Sequence, residues 1–209
     1  PAAPVVSILQ EQKEWYTEDG QTPLLTVNSS IVTIENQGCD ALRRAVTQSF
    51  PGIRDNYEDM LEQAEAFYEE QQETNPLYFS GYSLTSRAEL CRSDTSVTSF
   101  RVLYSDYMGG AHGNYGYKGI TFDTADGREL TLTDLLTDAE GFYEKAAAYL
   151  SEKLEADYAE DLFPDYRESV EASLKDEYLS CWYLDGAGIT MVYSPYFLGP
   201  YALGTVEIT

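Results

Sequence analysis

A chain of 209 residues with 43% hydrophobic and 13% aromatic content is long and apolar enough to bury a core, so a disordered polypeptide is excluded. Its 36 acids against 13 Lys and Arg give a formal net charge of −23, which repels nucleic acid and anionic lipid and attracts cationic partners. No apolar run reaches 18 residues, so no membrane span is expected.

Along the chain, Val5 to Tyr16 is extended in character, Asp19-Gly20 signals a turn, and Leu24 to Ile34 is rich in strand formers. Together they predict an N-terminal hairpin. A helix is expected from about Asp40, interrupted near Pro51-Gly52. From Asp55 to Glu73 the stripe Tyr57, Met60, Leu61, Ala64, Phe67 and Tyr68 recurs at helical spacing, and the same stretch is densely acidic with no base. It reads as a helix with one apolar and one acidic face, either solvated or open to a cationic partner. Asn75-Pro76 ends it.

Leu77 to Arg92 and Val97 to Tyr107 read as two long strands joined by a short turn, hence an antiparallel pair. A glycine-rich loop, Gly109-Gly110-Ala111-His112-Gly113, holds the only histidine and feeds a strand from Tyr115 to Phe122. Asp126-Gly127 then folds the chain into a hairpin onto Glu129 to Leu132. The acids around Asp123 lack EF-hand spacing, since Ala125 stands where a ligand is needed. Thr137 with Glu140, and Asp165 with Glu168, mark the starts of two more helices. Cys181 to Leu184 and Ile189 to Tyr193 flank an Asp-Gly turn, and Gly204 to Ile208 is the last strand. Strands and helices come in blocks instead of alternating. The expected class is therefore α+β, with antiparallel sheets each packed by helices in two small subdomains, 1–106 and 107–209.

No catalytic set emerges. A Ser–His–Asp triad or a Cys–His dyad would have to use His112, and no Gly-x-Ser-x-Gly elbow is present. A phosphate loop would open a helix, whereas these glycines open a strand. Paired carboxylates of a hydrolase cannot be located among so many acids. Cys39, Cys91 and Cys181 form no metal-ligand spacing, and they leave open either one disulfide or three free thiols. No metal, no cofactor and no enzymatic activity are expected. The Tyr-rich segments are the candidate binding residues: Tyr115, Tyr117, Tyr193, Tyr196, Phe197 and Tyr201. The loop carrying the last four also holds Pro195, Gly199 and Pro200, so ordering it on binding costs little entropy. The alternative is that these aromatics plug the sheet. The start, Pro1-Ala2-Ala3-Pro4, lacks an initiator Met and reads as a trimmed or processed end, which leaves open whether an export signal or anchor preceded it.

Two ordered motifs carry a family resemblance. The first is Gly109, Gly110, His112 and Gly113, followed by Ile120 to Asp123, Gly127, Leu130 and Leu132 to Leu136. The second is Gly188 to Tyr193 with Pro195-Tyr196 and Gly199-Pro200-Tyr201-Ala202-Leu203-Gly204. The chain resembles the extracellular domain family of the lysozyme-sensing anti-sigma-V factor, together with its usual N-terminal companion. Relatives also occur beside the deacetylase domain of a peptidoglycan deacetylase. The resemblance implies an exported or surface-anchored bacterial protein of two α+β units without a cofactor. It implies a non-catalytic module that binds a cationic cell-wall hydrolase such as C-type lysozyme. A peptidoglycan-binding accessory domain and an uncharacterised hydrolase are the alternatives. In this resemblance Gly109, Gly110, His112, Gly113, Asp123, Gly127, Pro200 and Gly204 are structural motif residues.

Overall fold

The computed structural model describes residues 2–54, 57–75 and 79–209. Among them the first hairpin pairs β1 (Val6–Tyr16) with β2 (Pro23–Ile34), and the Asp19-Gly20 turn closes it, with the Gly20 N–H on the Thr17 carbonyl. Two helices follow, α1 (Asp40–Ser49) and α2 (Glu58–Thr74). The chain then forms β3 (Tyr82–Ser93), β4 (Val97–Tyr107) and β5 (Asn114–Asp123), completing a sheet in the order β1-β2-β3-β4-β5. Asp55, Pro76, Leu77 and Tyr78, where the sequence places one helix start, its end and a strand start, lie outside the described residues.

This sheet is mixed, which corrects the expectation of purely antiparallel sheets. β2 and β3 run parallel, with Leu25 opposite Tyr82 and Ser29 opposite Ser86. The reason is the crossover. α1 and α2 carry the chain back to the start of β2, and a strand entered after such a return runs in the same direction. Leu42 and Val46 of α1 pack with Phe50, Val32, Ile34, Phe100, Val102, Ile120 and Phe122. Ala64 of α2 packs with Leu24, Leu25, Val27 and Tyr82.

The second half contributes α3 (Ala139–Tyr158), α4 (Tyr166–Lys175) and a small antiparallel sheet, β6 (Trp182–Leu184), β7 (Ile189–Tyr193) and β8 (Val206–Ile208). Its core joins Leu150, Leu154, Val170 and Leu174 to Met191, Tyr193, Leu198 and Val206. α3 is capped by Asp138, whose carboxylate accepts the Gly141 N–H at 3.1 Å, one residue later than the expected Thr137 cap. Asp165 precedes α4 but makes no side-chain cap. The hairpin expected over 122–132 shrinks to a bridge between Phe122 and Glu129 plus the Leu130 N–H on the Thr121 carbonyl. Asp134 then draws in the Thr131 N–H at 2.8 Å and turns the chain into a short 3-10 helix, Thr133–Leu135.

β4 and β5 join the two halves. They pair along their whole length, from Val97–Asp123 to Asp106–Asn114, so the five-stranded sheet draws on residues from both sides of 106. One face of this pair meets α1. The other meets β6, where the Leu184 N–H donates to Ser99 Oγ at 2.9 Å and Ser99 Oγ lies 2.7 Å from Thr121 Oγ1. Arg101 reaches from β4 to Glu89 on β3 at 2.5 Å and to Glu207 on β8.

Candidate binding surface

The loop between β4 and β5 is built by backbone conformations that disfavour side chains. Gly109 and Gly110 adopt φ of 87° and 92°. A Cβ on Gly109 would sit 2.9 Å from Cζ of Phe67, so the loop lies directly against α2. At Gly113 a Cβ would meet the Asp106 carbonyl at 2.4 Å, where the hairpin closes.

This loop delivers His112 to an aromatic cluster. The imidazole is exposed, its Nδ1 lies 2.9 Å from the Gly113 carbonyl oxygen, and its ring stacks on Tyr201 with centroids 4.4 Å apart and planes 23° off parallel. Tyr201 opens a short 3-10 helix, Tyr201–Leu203, which Pro200 precedes, and its hydroxyl donates to the same Gly113 carbonyl at 3.1 Å. Tyr115 meets Tyr201 edge-on at 5.9 Å, and Tyr196 lies 5.5 Å from it. Three rings, His112, Tyr115 and Tyr196, thus gather around Tyr201 from two loops and a strand. Gly204, at φ 72°, turns the chain away beneath the Tyr115 hydroxyl. Ser194 ties the closing loop to β5, accepting the Tyr117 N–H at 3.0 Å.

Tyr196 is 57% exposed and holds a left-handed backbone, φ 69°. A bulky residue in that region is strained, and such strain persists only where the surroundings impose it.

Of the six aromatics singled out from sequence, the structure brings Tyr115, Tyr196 and Tyr201 together at this surface. Tyr193 is only 2% exposed, its ring lies 5.6 Å from Phe197, and burial pushes its phenol up to about 12. Tyr193 therefore fills the core and not the ring cluster, and the half-buried Phe197 packs against that core. Tyr117 lies under the Arg101 guanidinium, 5.2 Å away. His112, read from sequence as a turn residue, is the member the sequence missed. Its stack depends on a partner far along the chain, which no local spacing announces. Asp123 and Gly127 sit elsewhere, in the turn after β5. There the Asp123 carboxylate accepts the Ala125 N–H at 2.7 Å, and a Cβ on Gly127 would press on Ala41 of α1.

The electrostatic setting is acidic. α2, which abuts the loop through Phe67, exposes Glu62, Glu65, Glu69 and Glu73 and carries no base. Asp161, whose carbonyl lies against Gly199 in the closing loop, is exposed too.

For catalysis His112 has poor company, because its neighbours are a carbonyl and a phenol ring. All three cysteines are free, and burial raises Cys91 and Cys181 to about 11, so both remain thiols at neutral pH. No group of three or more His, Cys, Asp or Glu among the described residues is placed to hold a metal ion.

Residues 11–115, half of the chain, match the family described as "Deacetylase PdaC", and residues 133–209 match a second, described as "Protein of unknown function (DUF3298)". No curated protein matches the chain. Two solved structures share its fold. A DUF3298 family member from Bacteroides fragilis aligns at 20% identity and TM-score 0.67, covering 100% of this chain and 90% of its own. A DUF3298 family protein from Pseudomonas aeruginosa aligns at 16% identity and TM-score 0.63, covering 99% of this chain and 89% of its own. At those identities the likeness speaks for the fold alone. The chain belongs to the PdaC family over residues 11–115, and residues 133–209 match the DUF3298 family model.

Proposed function

We propose that this chain is a non-catalytic binding module, working outside the cell or anchored at its surface, that captures a cationic cell-wall hydrolase such as a C-type lysozyme. The carrying observation is the ring cluster of His112, Tyr115, Tyr196 and Tyr201, with His112 and Tyr196 exposed, beside the acidic helix α2. Stacked rings present area at low entropic cost and attract ammonium and guanidinium groups over their faces. The −23 charge would steer a basic protein to them. The resemblance to the lysozyme-sensing anti-sigma-V family supplies the candidate partner.

Calorimetric titration with a C-type lysozyme tests this reading. At roughly 0.15 M salt, where the Debye length is about 8 Å, binding should persist, and Tyr196→Ala or Tyr201→Ala should weaken it at least about tenfold. Binding abolished by that salt, or untouched by both substitutions, would leave only non-specific charge attraction and sink the proposal.

A second reading, a peptidoglycan-binding accessory domain, draws on the same stacked pair. The open face of the His112–Tyr201 stack suits the apolar face of a sugar ring. Sedimentation with purified peptidoglycan separates the two. Retention in the pellet that Tyr201→Ala removes would favour the glycan.

A further inference from the structure

A separate cleft of roughly 750 Å³ opens where the edge of β5 meets the chain leaving α4. That volume lies within the usual range for small-ligand sites. Its floor is apolar, formed by Leu130, Leu132, Leu174 and Trp182. Its rim is polar and locally balanced, in a protein where acids outnumber bases nearly threefold. The β5 side contributes Lys118 and Glu129, and the α4 side contributes Lys175 and Glu177. Lys118, Glu129 and Glu177 enter none of the ion pairs formed among the described residues. Lys175 has only an exposed contact with Glu171 at 3.8 Å.

Two further observations point to a ligand. Ser180, in the wall, has a buried Oγ with no hydrogen-bond partner among the described residues. An unmatched buried hydroxyl costs on the order of 1–3 kcal/mol, so such groups are rare outside sites that a ligand or water completes. Tyr178, also lining the cleft, is 99% exposed, an aromatic side chain with almost no protein cover.

We infer that this cleft binds a short peptide with free termini. An apolar floor accepts small side chains. An ammonium and a carboxylate on each side accept the ligand's carboxylate and its amino group. A rotation of the Ser180 side chain brings its hydroxyl, buried in the free chain, onto the ligand backbone. A polyanion would be repelled by Glu129 and Glu177, and a polycation would be repelled by the two lysines. The site is distinct from the ring cluster: Tyr117 and Phe197 line it, and His112, Tyr196 and Tyr201 do not.

The probe is tri-alanine with free termini, compared with its N-acetylated, C-amidated form. Trp182 fluorescence, read in a Trp15→Phe background, reports binding beside ligand-observed NMR. The free tripeptide should bind with Kd below about 1 mM. Capping both ends should weaken it about tenfold or more, Lys118→Gln or Glu129→Gln about fivefold, and Ser180→Ala about threefold. Tyr196→Ala should leave it unchanged. Equal binding of the capped peptide, indifference to the Lys118 and Glu129 substitutions, loss of binding in Tyr196→Ala, or no binding up to roughly 10 mM would each overturn the inference.

Discussion

The two faces of the β4–β5 pair are made from opposite materials. Toward α1 they present Phe100, Val102, Ile120 and Phe122, all fully or nearly buried against Leu42, Val46 and Phe50. Toward β6 they present Ser99, Arg101, Gly119 and Thr121, small or polar residues joined by hydrogen bonds and ion pairs. The first face is held by volume removed from water, and it should forgive a change of shape more readily than a loss of size. The second is held by fit. A Cβ on Gly119 would lie 1.5 Å from the Trp182 carbonyl oxygen, so β6 crosses the sheet where there is no side chain to meet. That face should forgive loss more readily than addition.

Substitutions on each face can break this contrast. Phe100→Ala should cost about 4 kcal/mol in urea unfolding, and Phe100→Leu less than about 2. Gly119→Ala adds a single methyl group and should still cost about 3 kcal/mol, because backbone on both sides must move. A neutral Gly119→Ala would show that the crossing has slack. Ser99→Ala removes an acceptor from the buried Leu184 N–H and should cost about 2 kcal/mol. If Ser99→Ala were neutral, the polar face would owe its hold to the Arg101 pairs alone. Burial opposes the Arg101 charge, yet Glu89 and Glu207 outweigh it and keep the guanidinium protonated.

The two faces were unequally legible in the sequence. The apolar one follows from alternation in β4, where Phe100 and Val102 alternate with Arg101 and Leu103. Hairpins at Asp19-Gly20 and Asp185–Gly188, and the α2 stripe, are likewise local signals. The parallel pairing of β2 with β3 carries no local mark, because two helices intervene and either direction satisfies the same alternation. Gly119 looks like any glycine in a strand until the chain that crosses it is placed. The same limit divides the ring cluster. Tyr115, Tyr196 and Tyr201 stand out by composition. The separation of Tyr193, which fills the core, from Tyr196, which faces solvent, depends on where β7 ends.

A turn offers a milder test of the hydrogen-bonded seam, with a sign that depends on pH. Asp94 closes the β3–β4 turn, accepting the Val97 and Ser96 N–H groups at 2.9 and 2.8 Å. Those backbone donors, with Arg92 adding to them, hold its carboxyl below the usual carboxylate value. A depressed folded value means the contribution is complete above the unfolded value, near 3.8, and is lost as pH falls through the folded one. Asp94→Ala should therefore cost about 1 kcal/mol at neutral pH. The gap to the parent protein should close as pH drops below about 4, and a constant gap across that range would assign the effect to packing instead.

The smallest effect should carry the opposite sign. Both faces of the sheet are regions where substitution away from the native residue costs stability, whereas the closing loop holds Tyr196 in a left-handed backbone that glycine adopts freely. Tyr196→Gly should relieve that strain and raise stability by about 0.5–1 kcal/mol, partly offset by the greater freedom of glycine in the unfolded chain. The same change removes an exposed ring of the cluster, so the proposed lysozyme affinity should fall at least about tenfold while the urea midpoint rises. Opposite movement of the two readouts would mean that the loop trades stability for a presented ring. Parallel loss of both would instead make Tyr196 part of the packing, and the ring cluster would join the apolar face as core.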